Sequence, residues 1–270
     1  MIKIGTSGFS FPDWVGPVYP RNLKQKDFLP YYEKELGFNC VEANFTYYTL
    51  PSPRSFAGMS RKTSESFEFT VKAFKGLTHD MINLDTWELA ENSEVFEKFY
   101  QSLEPLLNDG KLACVLAQFP PFFFPRKENY DYIREFREKL HDVPLVVEFR
   151  NKAWLKESTM DLLRENLLGY CVVDEPKIPR LMPYQPGATS NIGYFRFHGR
   201  NPRWFKTSVK ERYDYLYSEE ELKEFVPDIK QVADRTEKAF ILFNNCTRGQ
   251  AAQNAEMMKK LLGLIREHSD

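Results

Sequence analysis

The fold is indicated by a strand-like stretch in the last third of the chain, Gly193-Tyr194-Phe195-Arg196-Phe197-His198. Side chains alternate between the two faces of a β-strand. Phe195 and Phe197 therefore share one face, and Tyr194, Arg196 and His198 share the other. The apolar face suits packing against helices, whereas the charged face suits an enclosed polar space. We interpret this stretch as a strand between a helical layer and a polar interior.

Seven further stretches read as strands, and segments with helical periodicity separate most of them. Strands that alternate with helices pair in parallel through right-handed crossovers, and eight such repeats close into a (β/α)8 barrel. We therefore predict a single TIM-type barrel domain over residues 1–270. The other predicted strands are Ile2–Ser7, Asn39–Asn44, Phe67–Lys72, Leu112–Phe119, Leu145–Arg150, Tyr170–Asp174 and Ala239–Asn244. The predicted helices are Phe28–Leu36, Val95–Leu107, Tyr130–Leu140, Thr159–Leu167, Glu219–Val232 and Ala251–Ile265.

An open, doubly wound sheet is the alternative to the barrel. That fold usually places a glycine-rich phosphate turn after its first strand. Here the turn reads Gly5-Thr6-Ser7-Gly8-Phe9-Ser10, which lacks the G-x-G-x-x-G spacing and runs into Pro12. The first turn therefore favours the barrel.

Composition excludes several classes of protein. The formal net charge is −1, so no overall field gathers nucleic acid or an acidic membrane. No apolar stretch approaches the roughly 20 residues that a membrane helix needs, and the chain enters a strand at once without a signal peptide. The four cysteines form no C-x-x-C pair, and Cys40, Cys114 and Cys171 lie in apolar strand-like runs, which predicts buried free thiols in a reducing compartment. We expect a soluble cytoplasmic protein that does not bind membranes.

The connections between elements differ in length. Four long ones follow strands, at Gly8–Lys24, Ala73–Asn92, Glu175–Asn191 and Gly199–Tyr217. The connections that lead back into strands are shorter. Because barrels carry their functional residues on the loops that follow the strands, this asymmetry predicts one elaborated face.

Polar side chains occupy the carboxyl ends of most predicted strands, where buried parallel strands are normally apolar. Strand alternation aims them into the barrel mouth. A buried salt-bridge network that only closes the barrel is the alternative, but burying an ion costs several kcal/mol, which favours a ligand site. The predicted ring consists of Glu42, Asn44, Lys72, Glu148, Arg150, Arg196 and His198.

Residue types limit the chemistry of this ring. Arginine and lysine suit a phosphate or carboxylate, so we expect a small anionic ligand. Carboxylates and histidine suit proton transfer, which makes Glu42, Glu148 and His198 the candidate catalytic residues; a hydrogen-bonded structural role is the alternative for His198. The candidate substrate-binding residues are Asn44, Lys72, Gln118, Arg150, Asp174, Arg196, Arg200, Asn244, Trp14 and Tyr215.

Metal ligands are scarce. The chain has four histidines, and only His198 lies at a predicted strand end. A multinuclear zinc site needs more ligands than this. We predict no cofactor, and leave open a single Mg²⁺ on Glu42, Glu148 or Asp174.

Aromatic residues crowd the loops, notably Phe119–Pro125 and the segment Arg203-Trp204-Phe205-Lys206. Aromatic and basic side chains together can stack on nucleotides. Aromatics also wall pockets and hold long loops together, which is the alternative interpretation.

Sequence blocks across nearly the whole chain resemble the YecE-like proteins, the family of domain of unknown function 72. One departure is Phe9, where the family often has tryptophan. The resemblance implies a (β/α)8 barrel without an established reaction, and it marks Asn244 together with the seven residues of the ring. The blocks are Gly5–Ser10 with Asp13-Trp14 and Tyr19-Pro20, Glu42–Tyr48, Phe69–Lys72, Gln118–Pro120, Glu148–Arg150 with Trp154, Arg196–Arg200, Tyr213–Tyr217, and Phe243–Asn245 with Ala252 and Asn254-Ala255.

Three functions are compatible with these features. The first is an enzyme that acts on a small anionic substrate, such as a phosphorylated sugar or nucleotide, at the barrel mouth. The second is a non-catalytic module that binds nucleic acid or protein through the aromatic and basic loops, motivated by Trp204, Lys206 and the run Phe122–Phe124. The third is a metal-dependent phosphodiester hydrolase.

Overall fold

A computed structural model describes residues 1–265, apart from the side chains of residues 209 and 210. This part of the chain forms eight strands and eight helices, one of them a single turn. The strands are β1 (Ile2–Thr6), β2 (Cys40–Ala43), β3 (Glu68–Lys72), β4 (Leu112–Gln118), β5 (Leu145–Glu148), β6 (Gly169–Asp174), β7 (Ile192–Phe197) and β8 (Lys238–Phe243). The helices are α1 (Phe28–Lys34), α2 (Pro53–Ser60), α3 (Ser93–Asn108), α4 (Lys127–Lys139), α5 (Glu157–Glu165), α6 (Val209–Arg212), α7 (Glu219–Asp234) and α8 (Gln250–Leu261).

The strands form one sheet in which every pairing is parallel. Their order is β1-β8-β7-β6-β5-β4-β3-β2, so each strand lies beside its neighbour in the chain and β8 returns to β1. β1 and β2 meet at a bridge between Ser7 and Glu42, which brings the sheet close to full closure. The predicted (β/α)8 barrel is therefore confirmed, and the carboxyl ends of all eight strands share one face.

A tyrosine hydroxyl joins the strands at the seam between β1 and β2. The Tyr32 hydroxyl, from α1, accepts a hydrogen bond from the backbone N–H of Thr6 (2.9 Å) and donates one to the carbonyl of Cys40 (3.2 Å). The strands approach closely at this point, because a Cβ atom on Gly5 would lie 2.2 Å from the Cys40 carbonyl oxygen. Glycine at position 5 allows this close approach, and the Tyr32 hydroxyl links the two strands.

Helix α2 and the single turn α6 were not predicted, and the connection between β6 and β7, where no helix was predicted, departs from the regular (β/α)8 pattern. Helix α2 was missed because only Phe56 and Ser60 in it are buried, so it carries no apolar stripe. Its signal lies at its start, where Ser52 caps the helix and Pro53 occupies the first turn. Between β6 and β7 the chain crosses over in an irregular loop without a helix.

Apolar packing lies between the sheet and the helices, and polar groups occupy part of the barrel interior. At the amino-terminal end of the barrel Glu68 pairs with Lys3 (2.9 Å) and with Lys238 (2.5 Å). All four cysteines are buried and unpaired, as predicted for Cys40, Cys114 and Cys171. Across residues 1–265, no helix combines the length and the apolar character needed to cross a membrane.

Replacing Tyr32 by phenylalanine is expected to destabilise the barrel by about 1–3 kcal/mol, because it leaves the Thr6 N–H and the Cys40 carbonyl without their buried partner. Urea unfolding measures this change. Tyr31→Phe, at the half-buried neighbour whose ring packs edge-on against Tyr19, is the matched control. Equal effects of the two substitutions would show that the Tyr32 hydroxyl does not hold the seam.

Candidate active site

Arg196 lies at the centre of the barrel mouth and binds two carboxylates. Its two terminal nitrogens lie 2.6 Å from Glu42 Oε1 and 2.6 Å from Glu148 Oε2. The three residues come from β7, β2 and β5, and at most 1% of any of their side chains is exposed. Burial alone would raise the pKa of Glu148, but Arg196, with His198, lowers it well below its usual value.

The remaining carboxylate oxygens of this pair are also engaged. Glu42 Oε2 accepts a hydrogen bond from the Tyr194 hydroxyl (2.8 Å), and Glu148 Oε1 accepts one from Arg150 (2.9 Å). Full engagement of this kind suits ionised groups that hold Arg196 in place, and it suits proton exchange less well. Four members of the predicted ring, Glu42, Glu148, Arg150 and Arg196, therefore form a salt-bridge network, whereas Asn44 and Lys72 stay outside it.

His198 lies beneath the loop that carries Trp204. Its Nδ1 is 2.9 Å from the Asn244 amide, and its Nε2 is 3.0 Å from Arg150 and 3.3 Å from Glu148. Burial, followed by the charge of Arg150, lowers the pKa of His198 to about 3. The imidazole is therefore neutral at physiological pH, which agrees with the structural alternative for this residue.

Glu175 belongs to this network, although sequence reasoning missed it. Its Oε2 lies 2.8 Å from Arg150, and its Oε1 accepts a hydrogen bond from the backbone N–H of Met182 (3.0 Å). Burial raises the pKa of Glu175 to about 7. Strand alternation on β6 was the available signal, because it turns Asp174 outward and the next side chain inward.

A cavity of about 490 Å³ opens above Arg196, at the carboxyl ends of β1, β2, β3, β7 and β8. Aromatic rings form part of its wall, from Phe11, Tyr47, Tyr48 and Tyr213. Four residues predicted for substrate binding line it together: Asn44, Lys72, Arg196 and Asn244.

Lys72 is the unusual member of this lining. Its ammonium lies 4.4 Å from the centre of the Tyr47 ring, and within residues 1–265 it has no hydrogen bond or ion pair. The buried amine of Lys111, by contrast, donates to the carbonyls of Ser60 (2.7 Å) and Thr63 (3.0 Å). Burial, followed by the charge of Arg196, lowers the pKa of Lys72 to about 7.

Three polar atoms of the cavity lining are buried without a hydrogen-bond partner in the described part of the chain: Ser7 Oγ, Asn44 Oδ1 and Arg196 Nε. The Asn44 amide is oriented by its nitrogen, which donates to the Ser7 carbonyl (3.0 Å). Buried polar groups are normally satisfied, so a cluster of exceptions in one lining points to a site that interacts with something else.

Asp174 and Arg200 do not join the ring. Arg200 forms a double hydrogen bond with Asp174 (2.9–3.1 Å) and lies 5.1 Å from the Phe225 ring, lining a separate cavity of about 790 Å³. Gly199, with a φ of 89°, lies between His198 and Arg200 and interrupts the alternation that would otherwise send the arginine inward.

Three more predicted ligand residues lie outside the cavity lining. Trp14 is 0% exposed and donates to the Cys246 carbonyl, so it anchors the first loop beneath Phe11. The Tyr215 hydroxyl donates to Glu221 (2.6 Å), and the Gln118 amide donates to the Phe119 carbonyl (3.2 Å). Of the remaining predicted residues, Arg150, Glu42, Glu148 and His198 lie behind the lining in the ionic network.

The loop aromatics mostly pack on the protein itself. Trp204 is buried between the guanidinium groups of Arg150 (5.6 Å) and Arg212 (5.5 Å), and Phe123 is buried against Trp154. Only Phe124 and Phe205 among the aromatics of these two loops are largely exposed. This arrangement agrees with the interpretation that the aromatics hold the loops together.

The residues considered for Mg²⁺ do not converge. Glu42 and Glu148 bind Arg196, whereas Asp174 binds Arg200. Over residues 1–265, no group of three or more His, Cys, Asp or Glu side chains is arranged to hold a metal ion. The described side chains therefore offer no support for the metal-dependent hydrolase.

Comparison with known proteins identifies relatives of this chain. The family model described as "Protein of unknown function DUF72" matches residues 3–269. UPF0759 protein YunF of Bacillus subtilis (strain 168) is 33% identical over 276 residues, which cover 98% of this chain and 95% of that protein. UPF0759 protein YecE of Escherichia coli (strain K12) is 27% identical over 127 residues, or 47% of this chain and 40% of that protein.

Two solved structures share the whole fold. A DUF72 family protein from Thermotoga maritima MSB8 has a TM-score of 0.90 and 48% identity, covering 97% of this chain and 99% of its own. A DUF72 family protein from Enterococcus faecalis V583 has a TM-score of 0.86 and 28% identity, covering 99% of this chain and 97% of its own.

Arg196→Met is expected to lower the free energy of unfolding by about 3–5 kcal/mol at pH 7, because it leaves the buried carboxylate of Glu42 without an ion-pair partner and that of Glu148 with Arg150 alone. In the wild type, the lowered pKa of Glu148 stabilises the fold above the unfolded-state pKa, and this contribution is lost as the pH falls. Without Arg196, burial raises that pKa, so the deficit of the variant should shrink below about pH 5. Urea unfolding at pH 7 and below pH 5 measures the deficit of the variant.

Arg164→Met, which removes two exposed ion pairs (2.7 and 2.8 Å), is the control and should cost at most about 1 kcal/mol. A deficit that grows towards acid pH contradicts this account.

Lys72→Met is expected to be more stable than the wild type at pH 7, because it removes a partly buried, desolvated amine that has no hydrogen bond or ion pair among the described residues. The pKa of Lys72 is about 7 in the folded protein and near its ordinary value of 10.5 when unfolded. The unfolded chain therefore binds more protons between these values, and the stability of the wild type relative to Lys72→Met should rise with pH, by at most about 1.4 kcal/mol per unit. Urea unfolding of both proteins from about pH 7 to pH 9.5 measures the difference. A stability difference that does not change with pH would show that the amine is solvated like an exposed lysine and that its pKa is not lowered.

Proposed function

We propose that this chain, which belongs to the DUF72 family of proteins of unknown function, is an enzyme that acts on a small anionic metabolite in the cavity above Arg196. The observation that carries the proposal is Lys72, whose amine reaches the cavity without a hydrogen bond or ion pair to any described residue. A group desolvated at this cost in stability is expected where function requires it.

The cavity suits a small polar ligand. Its volume of about 490 Å³ lies within the range of small-molecule sites. It opens at the carboxyl ends of the strands, where (β/α)8 barrels carry their active sites. The Lys72 ammonium can hold a carboxylate or phosphate, and the amides of Asn44 and Asn244 offer hydrogen bonds beside it.

Lys72 and Arg196 would divide the chemistry. A group with a pKa of about 7 can take up or release a proton at physiological pH, which makes Lys72 the proton-transfer residue of this proposal. Arg196 keeps its proton and is fixed by Glu42 and Glu148, so it supplies a preorganised positive charge for a developing negative charge. Glu42, Glu148 and His198 then act by positioning.

One feature favours an enzyme over a nucleic-acid-binding module, and another favours a cytoplasmic location. The exposed loop aromatics Phe124 and Phe205 do not line the cavity, so they do not form one stacking surface with its charged floor. The four unpaired thiols suit a reducing compartment.

A panel of phosphorylated and carboxylated metabolites, screened by thermal unfolding, tests the proposal. At about 100 times its Kd, a true ligand stabilises the fold by about 2.7 kcal/mol, which raises Tm by roughly 5 °C in a protein of this size. The shift should occur in the wild type and in Lys75→Met, an exposed lysine paired with Asp80 (2.9 Å), and disappear in Lys72→Met. The ligands found are then assayed for turnover.

A shift retained in Lys72→Met, or no shift with any anionic metabolite, would falsify the assignment of this cavity. If ligands bind to the wild type but none is turned over, the cavity remains a binding site and the proposal that the protein is an enzyme is rejected.

A further inference from the structure

The ionic network closes without Lys72. Arg196 donates a hydrogen bond to one oxygen of Glu42 and to one of Glu148, both at 2.6 Å. Tyr194 and Arg150 donate to the remaining two oxygens. The carboxylates of Glu42 and Glu148 are thus committed to other partners. The lysine stands in an ionic interior without an acidic partner of its own, unlike Lys3, which pairs with Glu68 (2.9 Å).

The surroundings of Lys72 meet the two conditions that make a lysine amine nucleophilic. One is desolvation, and the other is a neighbouring cation. Lys72 has both, because its side chain is partly buried at the end of β3, where the protein desolvates the amine, and Arg196 lines the same floor. A lysine that only held an anion would not need its charged form weakened in this way.

We propose that Lys72 is a nucleophile that forms an imine with the substrate, so that the substrate class is a small ketone or aldehyde carrying a carboxylate or phosphate group. This inference rests on the proposed function, and names the reactive residue and the substrate class at the same site.

The step balances without a redox partner. The neutral amine of Lys72 attacks the carbonyl carbon, a C–N bond forms, and the oxygen receives a proton to give a carbinolamine. The C–O bond then breaks, and the oxygen leaves as water with both protons that the amine has lost. The imine takes up one proton from solvent to become the cationic form, which draws electrons from the neighbouring carbon.

The lining suits both the amine and the cationic imine. The face of the Tyr47 ring, 4.4 Å from the Lys72 nitrogen, favours a cation at that position without neutralising it. The Ser7 hydroxyl and the Asn44 carbonyl oxygen, both without partners among the described residues, are available to the departing water. Arg196 remains charged beneath the substrate anion.

Reductive trapping tests this inference. The wild type is incubated with glyoxylate, pyruvate or dihydroxyacetone phosphate and cyanoborohydride at about pH 7, and the adducts are located by intact-mass analysis and peptide mapping. We expect one adduct per chain, on Lys72, formed at least about ten times faster than on any other lysine. The rate should rise through about pH 7, as the free amine forms. The adduct should be absent in Lys72→Met and unchanged in Lys75→Met.

Lactate and glycerol 3-phosphate, which lack the carbonyl, separate this inference from the proposed function. If lactate, glycerol 3-phosphate and the carbonyl probes raise Tm equally and no Lys72 adduct forms, the cavity binds anions, and the inference that Lys72 is a nucleophile is overturned. If no probe gives an adduct and none raises Tm, both proposals are overturned. Adducts spread over surface lysines and retained in Lys72→Met also overturn the nucleophile.

Discussion

The pairing of Arg196 with Glu42 and Glu148 is the constraint on which the site depends. One guanidinium group from β7 binds carboxylates from β2 and β5 across the barrel, with both distances at 2.6 Å. Two terminal nitrogens are matched by two acids, and Tyr194 and Arg150 satisfy the oxygens that remain. A buried network of this kind is stable only when it is complete, so its geometry leaves little freedom to any member.

Because that network is complete, it leaves Lys72 without an acidic partner. The charges of Glu42, Glu148, Arg196 and Arg150 balance one another, and His198 is neutral because burial and Arg150 lower its pKa to about 3. A further cation at the floor therefore finds no free carboxylate. The interactions that stabilise the neighbouring side chains disfavour the charged form of Lys72. The reactivity of its amine therefore results from an arrangement that is otherwise structural.

Strand alternation predicted most of this from sequence, because a buried parallel barrel repeats one simple geometry. It predicted the eight strands and brought Asn44, Lys72, Arg196 and Asn244 to one cavity. It fails where the chain leaves the strand. Gly199 turns Arg200 away from the interior, and the buried position of Trp14 depends on a loop that reaches Cys246, 232 residues away in the chain. Glu175 was within reach of the same rule, and the absence of a periodic signal after β6 agrees with the helix-free crossover found there.

The ring also explains how Lys72 can change charge inside the protein. Beyond the balanced set, two ionisable groups remain, one basic and one acidic, and the pKa values of Lys72 and Glu175 are both about 7. Lys72 and Glu175 can both be ionised, or Lys72 can lose a proton while Glu175 gains one. Both states are electrically neutral overall, with Arg196 and Arg150 between the two groups. The interior can therefore supply a free amine near neutral pH without burying an unbalanced charge, which is the condition that a buried lysine nucleophile requires.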